Sequence, residues 1–104
     1  MATEILVIPR PAYNVLHRLT GESRPDVALS LALKDLMRFR LEEVRSRIAA
    51  FESKYGMPFS DFEQGLETGK IPEPYSYPVE NDYLEWEAAI SDVAALEEVA
   101  QWLA

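Results

Sequence analysis

Beyond Lys54 the chain carries eleven carboxylates (Asp61, Glu63, Glu67, Glu73, Glu80, Asp82, Glu85, Glu87, Asp92, Glu97 and Glu98) and one basic residue, Lys70. Tyr75, Tyr77, Tyr83, Trp86 and Trp102 are interleaved with them. This half has a net charge of −10, residues 1–54 have +2, and the whole chain has −8. Carboxylates at that density repel nucleic acid and steer a cation-rich macromolecule, while tyrosine and tryptophan supply rigid area that anchors an interface. The chemistry on offer is recognition of a basic protein. Glu73, Tyr75, Tyr77, Glu80, Asp82, Tyr83, Glu85 and Trp86 are the expected contact residues.

Other chemistries lack their groups. His17 is the only histidine and there is no cysteine, which excludes disulfides, thiolate metal sites and the usual zinc site. A general base needs a nucleophile or an orienting carboxylate in reach, and the sequence around His17 signals neither. Asp61 to Glu67 faintly imitates a calcium loop, but its spacing is that of a capped helix. Glu42 and Glu43 are adjacent, point to different sides of a helix and cannot share one proton. There is no glycine-rich phosphate loop. A protein without catalytic residues, cofactor or metal is the expectation.

These groups must be positioned by a chain of 104 residues with 48% hydrophobic and 27% charged side chains, the composition of one globular domain. No apolar run approaches the roughly 20 residues of a membrane span, and Ile5 to Ile8 is too short for a secretory segment, so the chain reads as cytoplasmic. Thr3 to Ile8 is rich in β-branched residues and stops at Pro9, predicting a short strand. Pro11, then Tyr13, Leu16 and Leu19, predict a helix over 11–20 closed by Gly21. From Pro25 to Tyr55 neither proline nor glycine intervenes, and Leu33, Met37, Leu41, Val44, Ile48, Phe51 and Tyr55 recur in steps of four and three. That is one long helix, 25–55, with a heptad-like stripe.

Gly56 and Pro58 end the long helix, and Ser60 with Glu63 forms a capping-box pattern for a short helix to about Glu67. Three prolines between Pro72 and Pro78 predict an extended linker over 70–80. Asn81 or Asp82 then caps a last helix, 82–103, with Trp86, Ala89, Val93, Leu96, Ala100 and Leu103 on one face. The expected architecture is mainly α: a short N-terminal strand, then helices, with helix 25–55 packed on helix 82–103, as a helical dimer. Residues 1–55 form a dimerisation region, with Ile5, Val7, Leu33, Met37, Leu41, Val44 and Ile48 at the seam. Residues 56–104 form the acidic partner-binding region.

The order strand Thr3–Ile8, helix around Tyr13, Leu16 and Leu19, turn Gly21-Glu-Ser, and helix with Val27, Leu29, Leu31 and Leu33 resembles the ribbon-helix-helix module of small bacterial DNA-binding proteins. That resemblance implies an obligate homodimer with paired strands. Neither strand face, Thr3, Ile5, Val7 or Glu4, Leu6, Ile8, offers an arginine or lysine, so DNA binding by the strand lacks its electrostatic requirement. With Leu36-Met-Arg-Phe-Arg-Leu-Glu-Glu, Phe51-Glu-Ser-Lys-Tyr-Gly-Met-Pro-Phe and Tyr83-Leu-Glu-Trp-Glu, the whole chain resembles the antitoxin half of a prokaryotic toxin–antitoxin pair. The resemblance implies a non-catalytic protein that binds and occludes a basic, ribonuclease-type toxin through its acidic C-terminal half. The alternatives are a ribbon-helix-helix regulator and a helical scaffold with no nucleic-acid role.

Overall fold

The computed structural model describes residues 7–103. Four helices follow one another: α1 (Arg10–Thr20), α2 (Pro25–Tyr55), α3 (Phe59–Thr68) and α4 (Tyr77–Ala100), with a 3-10 turn at Gln101–Leu103. No strand is present among the described residues. The strand expected over Thr3–Ile8 falls mainly on residues 1–6, outside the described residues, as does Ile5. Val7 and Ile8 are in irregular backbone, and Val7 is exposed.

Helix α2 is the spine, 31 residues and about 47 Å long. Its predicted bounds hold because no residue between Pro25 and Tyr55 lacks an amide hydrogen or favours a left-handed backbone. At each end the chain reverses on a glycine. Gly21 (φ 71°) returns its N–H to the His17 carbonyl and Gly56 (φ 69°) to that of Glu52, conformations that cost an L side chain energy. Helix α1 therefore lies along the N-terminal end of α2, and α4 runs antiparallel along the rest. The cross-helix contacts fix that direction: Arg45 meets Glu97, and Lys54 meets Asp82.

The expected stripe divides in two. Val44 and Phe51 are buried and Ile48 and Tyr55 pack on the core, so this part of the seam is covered within the chain. Toward the N-terminus burial fades: Leu41 and Met37 are half-buried and Leu33 is exposed. Val44 and Ile48, expected at a dimer seam, instead serve the intrachain contact with α3 and α4, because α4 runs far enough back to cover them.

The core lies where α2, α3 and α4 meet. Phe51, Phe62, Ile71 and Trp86 are buried, with Ile48, Tyr55, Met57, Phe59, Leu66, Val79 and Tyr83 packed around them. Ring centroids of Phe62, Phe59, Phe51 and Tyr55 stand 5.1, 5.4, 5.5 and 5.9 Å from that of Trp86. Offset and edge contacts of this kind add to the area term. Ile71 closes over α3 at Gly65, where an added Cβ would lie 3.0 Å from the Ile71 side chain.

Two boundaries differ from expectation. The last helix begins at Tyr77, five residues before the expected 82, and becomes a 3-10 turn at Gln101. Pro78 sits in its first turn, where the missing amide hydrogen has no partner to lose, so the linker over 70–80 contracts to the stretch before Tyr77. Asn81 and Asp82 thus lie inside α4. Helix α3 starts at Phe59 after Pro58 with no side-chain cap, so Ser60 sits inside the helix and the capping box does not form.

The molecule measures 57 × 32 × 20 Å, with a radius of gyration of 20.0 Å. A compact chain of this length has about 13 Å. No helix of the described residues is long and apolar enough to cross a membrane.

Trp86→Ala should remove about 3–5 kcal/mol of stability, the range for emptying a large aromatic site. Trp86→Phe should cost clearly less, because the indole N–H has no acceptor among the described residues and its removal frees an orphaned donor. Urea unfolding followed by circular dichroism measures both.

Candidate protein-binding site

Helix α3, the turn after it and the first half of α4 form the acidic end. Gly69 closes α3, and the Lys70 N–H bonds the Gly65 carbonyl at 2.9 Å, turning the chain so that Ile71 dips into the core. The chain then surfaces. Glu73 holds φ at 49°, a left-handed conformation strained for a non-glycine residue, and its carbonyl accepts the Ser76 N–H at 3.0 Å. This tight turn puts Tyr75 outside and starts α4 one residue beyond Ser76.

The eight expected contact residues separate by helical phase. Tyr75 and Tyr77 are 87% and 78% exposed, and Glu73, Glu80 and Glu85 are exposed with them. Trp86 is fully buried and belongs to the core, so it presents nothing to a partner. Asp82, one turn earlier on the same face, is also buried. Its Oδ2 accepts hydrogen bonds from Lys54 Nζ at 2.5 Å and from the Tyr55 hydroxyl at 2.6 Å. Lys54 also lies 5.5 Å from the Tyr55 ring centroid. Trp86 and Asp82 are therefore structural, and the outward set lacks them.

Burial alone would raise the Asp82 carboxyl, but the hydrogen bonds from Lys54 and Tyr55 and the Lys54 charge outweigh it and hold the group below its ordinary value. Tyr55 is pushed up to about 12 by burial first and then by the adjoining Asp82 carboxylate.

Tyr83 lies between the two sets. Its ring packs on Phe59, with centroids 5.6 Å apart, and its hydroxyl is 2.8 Å from Glu63 and 2.9 Å from Glu87. A phenol has one hydrogen to give, so two carboxylates compete for it. Those contacts push the Tyr83 phenol well above its usual value. Glu87 follows Tyr83 by one helical turn and was legible from spacing; Glu63 comes from another helix and was not. Leu84, exposed beside Tyr83, also escaped the sequence reading, because it falls outside both the stripe and the acidic pattern.

The basic residues of α2 are largely occupied. Arg38 pairs with Asp35, Arg40 with Glu43 and Arg45 with Glu97. His17 is exposed, its Nδ1 3.1 Å from the Glu22 carbonyl in the turn between α1 and α2. Among the described residues no three histidine, aspartate or glutamate side chains converge on a point that would hold a metal ion.

Asp82→Ala should cost about 1–2 kcal/mol at neutral pH, chiefly because the half-buried Tyr55 hydroxyl loses its acceptor. A carboxyl held low contributes stability that is present above its unfolded-state value of about 4 and lost as pH falls through the folded one. The gap between wild type and Asp82→Ala should therefore narrow in acid below about pH 4. The raised phenol acts in the opposite sense, with stability present below about pH 10 and lost as pH rises through its folded value, so Tyr55→Phe should flatten the alkaline limb. Urea midpoints measured across the pH range test both limbs.

No curated protein and no solved structure matches the chain. A family model, described as the uncharacterized protein MJ0235 family, matches residues 14–102 and so takes in all of α2, α3 and α4. By that match, the chain belongs to the MJ0235 family.

Proposed function

We propose that this protein is a non-catalytic, antitoxin-like homodimer whose acidic end binds and occludes a basic partner, of the ribonuclease type in the leading reading. One observation carries the proposal. Tyr75 and Tyr77 stand 87% and 78% exposed, with Leu84 at 61%, in the half of the chain whose net charge is −10. Exposed apolar and aromatic groups gathered on one surface mark an interaction site, and carboxylates around them select a cationic partner. Occlusion needs no chemistry. Negative charge and surface complementarity where substrate phosphates would lie suffice to block a nucleic-acid site.

The dimer rests on area. The chain exposes 7967 Å² where a compact monomer of 11.8 kDa exposes about 5,900 Å². The excess of about 2,000 Å² exceeds the roughly 800 Å² each partner gives to a standard interface. On α1 and the N-terminal half of α2, Val15, Leu19, Leu31, Leu33, Leu36 and Phe39 are exposed. A second copy of the same hairpin, carrying the same exposed apolar side chains, is the occupant that satisfies both chains at once.

Co-expression with the basic protein encoded beside it in the native host tests the proposal. The expected result is co-elution at low salt, loss of the partner's nuclease activity in the complex, and a sedimentation mass of the free protein twice that of the chain. Recovery of only the free protein overturns the partner, and a monomer at all concentrations overturns the dimer. Tight, steeply salt-dependent binding of the isolated protein to its own upstream DNA would instead support the regulator.

A further inference from the structure

A groove of about 290 Å³ opens between the end of α3, the turn after it and the start of α4, lined by Leu66, Pro74, Tyr75, Glu80, Tyr83 and Leu84. Its walls are mostly apolar or aromatic. Tyr75 and Leu84, 87% and 61% exposed, form its outer lips, while the Tyr83 ring is braced from behind by Phe59. No basic side chain lines it. Glu80 is its one carboxylate, and the Tyr83 hydroxyl is already held by Glu63 and Glu87, outside the lining.

The shape and charge call for an occupant with an apolar stem and a planar cation. Glu80 is the one charged group in the lining, so an anion is repelled, and a neutral hydrocarbon leaves that carboxylate without a counter-charge. An arginine side chain lays its methylenes on Leu66, Pro74 and Leu84, stacks its guanidinium on the face of Tyr75 and gives hydrogen bonds to Glu80. Lysine shares the charge but neither the plane nor the paired donors. We propose that this groove is the seat of an arginine side chain from the basic partner. The inference rests on the reading of the acidic half as the partner-binding end, and adds to it the subsite and the residue type.

The probe is a short blocked leucine–arginine peptide, titrated into the full chain at low salt and followed by calorimetry and amide shift mapping. Versions with lysine or the neutral isostere citrulline in place of arginine serve as comparison arms. Shifts should centre on Leu66, Tyr75, Glu80, Tyr83 and Leu84, citrulline should abolish binding, and lysine should weaken it. Tyr75→Ser and Leu84→Ser, both at exposed positions that the core does not need, should each weaken binding by about tenfold. Val99→Ser, also exposed on α4 but away from the groove, should change it by less than about twofold. Equal losses for all three variants, undiminished binding of the citrulline peptide, or a wild-type chain whose groove resonances do not move would each overturn the proposal. If the full-length partner still co-elutes in those cases, the groove alone is wrong; if it does not, the reading beneath it has failed as well.

Discussion

The indole of Trp86 is clasped by Phe51 and Tyr55 from α2 and by Phe59 and Phe62 from α3. Because side chains on a helix repeat every three or four residues, seating this one ring sets the rotation of α4 about its own axis. Asp82, one turn before Trp86, is carried inward to Lys54 and Tyr55, and Ala89, three residues after it, is buried too. The same rotation turns Glu80, Leu84 and Glu87 outward and leaves Tyr83 at the edge, in reach of both α3 and solvent. The acidic surface and its groove are thus the far side of an aromatic core.

A second constraint is one of proportion. A helix of 31 residues is longer than its neighbours can cover. Helix α4 consumes the apolar stripe from Tyr55 back to Val44, α1 shelters Ala28 at the other end, and between them Leu33, Leu36 and Phe39 stay open to solvent. The chain therefore has two unlike ends. One is closed over a core and acidic; the other is an open apolar hairpin, in which Arg38 and Arg40 are tied to carboxylates on their own helix, while Arg45 reaches Glu97 on α4. Negative charge is concentrated at one end and exposed apolar area at the other, so the two surfaces do not overlap.

Much of the architecture was legible residue by residue. The span from Pro25 to Tyr55 announced itself by the absence of any breaker inside it and by Gly56 after it, and α1 and α3 fell within two residues of their expected bounds. The start of α4 was misread because three prolines in a short stretch weigh as breakers. Pro78 occupies the one part of a helix where its missing amide hydrogen costs nothing, so the helix begins before it. The Ser60–Glu63 pattern failed for a related reason: Phe59, directly after the extended Pro58, is already helical, which leaves Ser60 inside the helix and no longer at its cap.

The site was legible only as a composition. Counting charges and rings along the chain established that its second half is anionic and aromatic, since neither property depends on folding. Which rings face water does depend on it. Trp86 and Tyr75 are both aromatic residues within two positions of a glutamate, yet one is fully buried and the other almost fully exposed, because burial follows from the phase of a helix docked on two others and from a left-handed turn at Glu73. Glu63, Leu66, Pro74 and Leu84 meet Tyr83 across three separate segments. Local sequence determines helices, stops and net charge through short-range sterics and hydrogen bonding; the convergence of distant side chains belongs to tertiary packing alone.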